Sequence, residues 1–307
     1  MVIRFVLYPT HTRNSLLYPH ESFFFSSFWL SISVIISGIQ LYGVTLGPGY
    51  PWLIDTIYVL YWIYAGCSLV NSIVLCWLLI SSSPVRPVPF LSSYFLVGYS
   101  AMLTGTVSSL IAAHQPPDRA TVAILSGCAY QGYGMLISFV CITYFIRDLM
   151  DNGLPPPPLR PAMFIPVGSC SYTIVAFIGQ ANAIPVYGYF AAHPSAKDVL
   201  QILSLFLGIF LWIFTLWLFA IAVLGNLAVA GKMPFSLAWW AFIFPNVGFN
   251  VATTMIGREL ASDGILWVGS LMTILLVVIW CTTAVGCARA VWLGQIMWPG
   301  RDEDKGR

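Results

Sequence analysis

Residues 232–249 read Lys-Met-Pro-Phe-Ser-Leu-Ala-Trp-Trp-Ala-Phe-Ile-Phe-Pro-Asn-Val-Gly-Phe. After Lys232 the stretch carries no charge, and Trp239, Trp240, Phe242, Phe244 and Phe249 crowd a run apolar enough to enter a bilayer. Aromatic belts of membrane proteins sit at the two interfaces, so an aromatic cluster at mid-depth, interrupted by Pro245, needs a separate explanation. Phe244 directly precedes that proline, and Gly248 follows one turn later on the same helical face as Ala241 and Met255. A bulky ring on a face of small residues can plug a narrow pore, because hydrophobic constrictions gate conduction by excluding water. The residues leave two readings of Phe244 open, a gate and a packing residue.

The rest of the chain has the same character. Of its 307 residues 59% are hydrophobic and 8% charged, with a mean hydropathy of +0.84, whereas soluble domains carry about a quarter charged residues. This is the composition of an integral membrane protein embedded in a lipid bilayer. It excludes most enzymes and all nucleic-acid binders, and the net charge of +2 is too small to attract an anionic macromolecule. At about 20 apolar residues per span, eight segments emerge, running approximately over Phe23 to Tyr42, Trp52 to Ile80, Phe90 to Ala113, Ala120 to Ile146, Pro161 to Ile184, Val199 to Ala230, Phe235 to Gly257 and Ile265 to Val291. They far exceed the roughly ten residues of a barrel strand and do not alternate. The expected fold is therefore all-α, a polytopic membrane protein with one transmembrane domain over residues 1–307 and a short cytoplasmic tail at 298–307.

Positive charge is retained on the cytoplasmic side. One side receives Arg4, Arg13, Arg86, Arg147, Arg160, Lys232, Arg289, Arg301, Lys305 and Arg307, and the other only Arg119, Lys197 and Arg258. Both termini are therefore expected in the cytoplasm, in agreement with an even number of spans. No Asp, Glu, Lys, Arg or His lies near the middle of a span, which disfavours a carboxylate proton relay and favours a neutral pathway. The seven cysteines all fall in apolar stretches without paired spacing, and the four histidines lie in loops, so no metal site, disulfide framework or cofactor is expected. Hydrolase and phosphate-binding motifs are absent, and the chain reads as no enzyme.

Arg13, Arg86, Arg160 and Lys232 recur at a period of about 72 residues, and Pro19, Pro89, Pro161 and Pro234 keep the same beat at the starts of the odd spans. The spans thus form four tandem helical hairpins entering from the same side. In a parallel array of hairpins one helix of each pair lies inside. The odd spans carry Gly38; Gly98 and Gly105; Pro166, Gly168 and Gly179; and Pro245 and Gly248. Such breakers are tolerated where a helix is buried in protein or lines a cavity, although glycines also serve close helix packing. The odd spans are the pore candidates. Pro166, Gly168, Pro245 and Gly248 would shape the pore, Ser100, Thr104, Ser169, Thr173 and Asn250 are candidate lining groups, and Arg86, Arg160 and Lys232 would concentrate anions at the cytoplasmic mouth. The long, Leu-rich second, sixth and eighth spans read as an outer ring facing lipid.

The string Trp239-Trp-Ala-Phe-Ile-Phe-Pro245, preceded by Lys232 and Phe-Ser, resembles the tellurite-resistance/dicarboxylate transporter family, which holds plant slow anion channels, yeast malate permeases and fungal sulfite efflux pumps. Arg160-Pro-Ala-Met-Phe-Ile-Pro-Val-Gly168, Gln115-Pro-Pro117, Phe28-Trp-Leu30 and Gly264-Ile-Leu-Trp267 extend the resemblance over nearly the whole chain, most closely to the fungal malic acid transport branch. The resemblance implies five hairpins around a central anion pathway, often in trimers, so that a homotrimer is the implied assembly. It implies a plasma-membrane carrier of malate or other C4 dicarboxylates, with sulfite as the alternative, and it places the family's occluding phenylalanine on Phe244. At Val167-Gly-Ser169-Cys170 the chain departs from the family's Val-Gly-Pro-Pro. Met1-Val-Ile-Arg-Phe-Val-Leu-Tyr-Pro9 resembles the end of the family's second helix, so a missing first hairpin, through N-terminal truncation, is expected, and with it poor stability or an inactive paralogue.

Overall fold

The structure, a computed structural model, describes residues 23–82 and 92–296. Arg4, Arg13, Pro19, Arg86, Pro89 and the tail 298–307 lie outside the described residues. Those described form eight α-helices and no strand: α1 (Ser26–Ile39), α2 (Pro51–Ser82), α3 (Phe95–Ile111), α4 (Pro117–Asn152), α5 (Ile165–Asn182), α6 (Ala196–Leu227), α7 (Phe244–Glu259) and α8 (Asp263–Trp292). They correspond one to one with the eight apolar segments. Seven spans are long and apolar enough to cross a membrane, those of α1, α3 and α5 when counted with their adjoining π or 3-10 segments, and the span of α7 is not among them. The seventh span is broken, because Leu237–Phe242 winds as a 3-10 helix before α7 begins.

The odd helices share this construction. Short 3-10 segments, Phe23–Phe25, Ser92–Tyr94, Pro157–Phe164 and Leu237–Phe242, lead into α1, α3, α5 and α7 respectively. Among the described residues no 3-10 segment joins directly onto the start of an even helix, the one at Ala112–His114 continuing α3, and α4 opens on Pro117. Proline is accepted in a first turn, where the N–H groups have no helical partner. The repeat read from the prolines is thus a repeat of lead-in, inner helix and outer helix.

The odd helices pack in chain order, α1 on α3, α3 on α5 and α5 on α7. The even ones bridge them from outside: α2 touches α1 and α3, α4 touches α3 and α5, α6 touches α5 and α7, and α8 lies on α7. Among the described residues α1 and α7 are not packed against each other, so the inner helices described form an arc open on one side. α3 and α5 are almost wholly buried, whereas α8 is almost wholly exposed and carries Trp267 and Trp280 outward.

Lipid offers no hydrophobic drive between helices, so they associate through small residues and polar contacts. At the α3–α4 seam Gly98 and Gly105 face Gly134 and Gly127 in antiparallel order. A Cβ on Gly127 would lie 1.9 Å from Ser108 Oγ, and one on Gly134 would lie 2.3 Å from Met102 Cβ. Gln180 on α5 closes the same seam, its amide donating to the Gly105 carbonyl (3.0 Å) and to Ser108 Oγ (2.8 Å). The turns at the end bearing Arg119, Lys197 and Arg258 are tied in pairs: Arg119 to Asp55 (2.5 Å), and Asn182 to Glu259 (2.6 Å).

Candidate functional site

Pro166 and Pro245 occupy equivalent places, each the second residue of an inner helix. They start α5 and α7 after the 3-10 lead-ins. At α7 the join is one residue, Ile243, with φ −104° and ψ −68°.

In both helices a tyrosine of the preceding inner helix grips the carbonyl just before the proline. The Tyr99 hydroxyl on α3 donates to the carbonyl of Ile165. The Tyr172 hydroxyl on α5 donates to the carbonyl of Phe244, 3.0 Å away. A buried tyrosine needs a partner for its hydroxyl, and a carbonyl beside a proline offers a second lone pair. Two glycines permit the approach. A Cβ on Gly168 would lie 3.2 Å from Tyr99 Oη and 3.4 Å from Pro245 Cβ, and one on Gly248 would lie 2.8 Å from both Ser171 Oγ and Tyr172 Cε2. Pro166, Gly168, Pro245 and Gly248 are thereby gathered where α3, α5 and α7 meet.

Phe244 is half-buried at this junction, its ring stacked on Tyr172 with centroids 5.0 Å apart and planes 28° from parallel. Helical spacing puts it on one side of α7 with Val247 and Val251, which are 38% and 39% exposed. The opposite sides of α7 are occupied, Phe249 lying against Trp212 and Phe219 of α6 and Asn250 against α8. Among the described residues, Phe244 therefore borders a side of α7 that no neighbouring helix covers.

The polar candidates are placed differently. Ser100, Thr104, Ser169 and Thr173 are all buried. Ser100, Ser169 and Thr173 turn their hydroxyls to carbonyls of their own helices at 3.2, 2.8 and 2.7 Å. Thr173 also accepts the Gln131 amide from the outer helix α4 (2.8 Å), while the buried Thr104 hydroxyl has no partner among the described residues. Asn250 lies at the α7–α8 seam, donating to Thr273 Oγ1 (2.7 Å). Arg160 is held in place by the carbonyls of Pro155 (2.9 Å) and Gly225 (2.8 Å), the second in the last turn of α6, where a cation also meets the negative end of the helix dipole. Lys232 is exposed, and Arg86 lies outside the described residues.

Tyr99 and Tyr172 are the residues that the sequence reading passed over. Their signal was present: Gly98-Tyr99-Ser100 and Ser171-Tyr172-Thr173 recur at the period of about 72 residues that the prolines mark.

The sequence model of the family described as voltage-dependent anion channel matches residues 1–288. Among curated proteins, a malic acid transport protein of Schizosaccharomyces pombe is 27% identical over 313 residues, covering 99% of this chain and 70% of that protein. Sulfite efflux pumps of Trichophyton rubrum and Arthroderma benhamiae are each 23% identical over 290 residues, covering 91% of this chain and 74% of theirs. No solved structure matches the chain.

Proposed function

Because the chain belongs to the voltage-dependent anion channel family, we propose that it carries small organic anions, malate or another C4 dicarboxylate, across the plasma membrane along α3, α5 and α7, past a gate formed by Phe244. Membrane transport of anions is the activity of this family and of its named relatives, and the chain is not an enzyme. The observation that carries the gate is the position of Phe244. It follows a one-residue break in an inner helix, half-buried, stacked on Tyr172 and bordering a side of α7 that no helix among the described residues covers.

In this reading the anion sheds part of its water against hydroxyl donors of α3 and α5 and passes when the Phe244 ring swings aside. Thr104 is the first such donor, because its hydroxyl has no partner among the described residues to give up. A buried charge on the wall would trap or repel a divalent anion, and the mid-span absence of Asp, Glu, Lys, Arg and His fits a pathway that must also release its cargo. Both termini are assigned to the cytoplasm on the charge asymmetry, with Lys232 as the exposed cation of the cytoplasmic mouth.

Malate is preferred to sulfite because the malic acid transport protein is the relative of higher identity and covers the chain more fully. Uptake of labelled malate and of sulfite into vesicles containing the full chain tests the assignment. Malate flux above empty vesicles supports it, sulfite flux alone moves the protein to the efflux class, and no flux of either with folded protein favours a chain that does not transport.

A further inference from the structure

We propose that Tyr172 is the latch of the Phe244 gate, its hydroxyl holding the backbone of Phe244 and its ring holding the side chain. The inference deepens the gate reading above and rests on it. A phenylalanine at the edge of an uncovered side has no polar group with which to hold one orientation. Here one neighbouring side chain fixes it at both ends, through the 3.0 Å hydrogen bond to its carbonyl and the 5.0 Å ring stack. The two contacts are coupled, because the ring and the hydroxyl belong to one rigid phenol group.

The place of the hydrogen bond matters as much as its presence. Ile243 separates the 3-10 lead-in from α7, so the carbonyl of Phe244 is the first of the regular helix. Holding that carbonyl fixes where α7 begins and thereby the direction in which the Phe244 side chain leaves the backbone. Tyr172 is itself confined: Gly248 leaves no free space against its ring, and the neighbouring Ser171 hydroxyl is turned to the Val167 carbonyl (2.8 Å).

The preceding repeat shows what is special at α7. Tyr99 grips Ile165 in the same way, but Ile165 is buried, 7% exposed, so that bond secures only the start of a helix. At α7 the gripped residue is an aromatic at the edge of an uncovered side. The same device that positions α5 holds a movable ring at α7. Opening requires Phe244 to leave Tyr172, and closing returns it to a fixed seat.

The test is anion efflux from vesicles containing the full chain. Tyr172→Phe keeps the ring and deletes only the hydroxyl. Loss of one net hydrogen bond from the closed state corresponds to about fivefold in the closed-to-open equilibrium, so basal efflux should rise about fivefold. In a Phe244→Ala background the same substitution should add nothing, because no ring remains to be held. Tyr61→Phe, which removes a buried hydroxyl bonded to Ser126 (2.8 Å) between α2 and α4, should leave efflux unchanged. Replacing Tyr172 by 3-fluorotyrosine keeps the ring, strengthens the donor and should lower efflux, a change of opposite sign that mere loosening of the fold cannot produce. Unchanged efflux in Tyr172→Phe beside a rise in Phe244→Ala would overturn the latch and leave the gate standing. Equal rises in both backgrounds would overturn it as general destabilisation, and no rise in Phe244→Ala would remove the gate and the latch together.

Discussion

Gly248→Ala is a small change at the tightest point of the α5–α7 contact. The new methyl carbon would lie 2.8 Å from Ser171 Oγ, 2.8 Å from Tyr172 Cε2 and 3.0 Å from Tyr172 Cδ2. Ordinary carbon contacts begin near 3.5 Å, so the phenol ring must retreat by about 0.7 Å. It cannot do so freely, since its hydroxyl is bonded to the Phe244 carbonyl and its face is covered by the Phe244 ring. Overpacking of this kind costs about 1–3 kcal/mol, partly offset by the gain of about 1 kcal/mol for alanine over glycine inside a helix. The expected net loss is about 1 kcal/mol, a fall in thermal midpoint of about 2–4 °C. Basal anion efflux should rise as well, because the displaced ring is the one that seats Phe244. Gly132→Ala is the matched control, since no atom lies within 4 Å of a Cβ there and the helix-propensity gain is unopposed. Purified protein is heated in detergent and followed by size-exclusion chromatography, with efflux measured in vesicles. A Gly248→Ala midpoint at or above wild type with unchanged efflux, or the same loss in Gly132→Ala, would refute the reasoning.

The α3–α4 seam is stricter. Gly134→Ala places its methyl 2.3 Å from Met102 Cβ, the rigid root of a side chain, and should abolish recovery of monodisperse protein; normal yield would contradict the packing described here. Arg160→Ala removes a cation bound to two carbonyls and should lower the thermal midpoint, whereas Lys232→Ala, at an exposed position, should leave the midpoint unchanged and reduce the salt sensitivity of anion entry from the cytoplasmic side. The opposite partition would exchange the roles of the two residues.

The fold was legible because membrane burial leaves a coarse record. Apolar runs of helical length marked all eight helices, and small residues marked α3 and α5 as inner. Hydropathy averages over a window, so it could not show that Leu237–Phe242 winds differently from Phe244–Glu259. Pro245 announced a disturbance, but a kink within a helix and the start of a new one look the same in a string of residues.

The site was legible in part. Phe244 could be singled out by its size and its place before proline. Polar lining could not be read in the same way, because a hydroxyl in a transmembrane helix satisfies itself on its own backbone, as Ser100, Ser169 and Thr173 do. Arg160 looked like an anion attractor for want of any sign that the end of α6 comes to meet it. Tyr99 and Tyr172 could have been found only by carrying the repeat from the prolines through to the residues between them.

The most direct test of the account is Phe244→Ala in the full chain, reconstituted in vesicles, with efflux of malate measured against wild type at equal protein content. The account predicts a clear rise in basal efflux with the thermal midpoint little changed, because the half-buried ring closes a pathway and is not a central part of the core. Efflux equal to wild type from well-folded Phe244→Ala protein would contradict it and return Phe244 to the status of a packing residue.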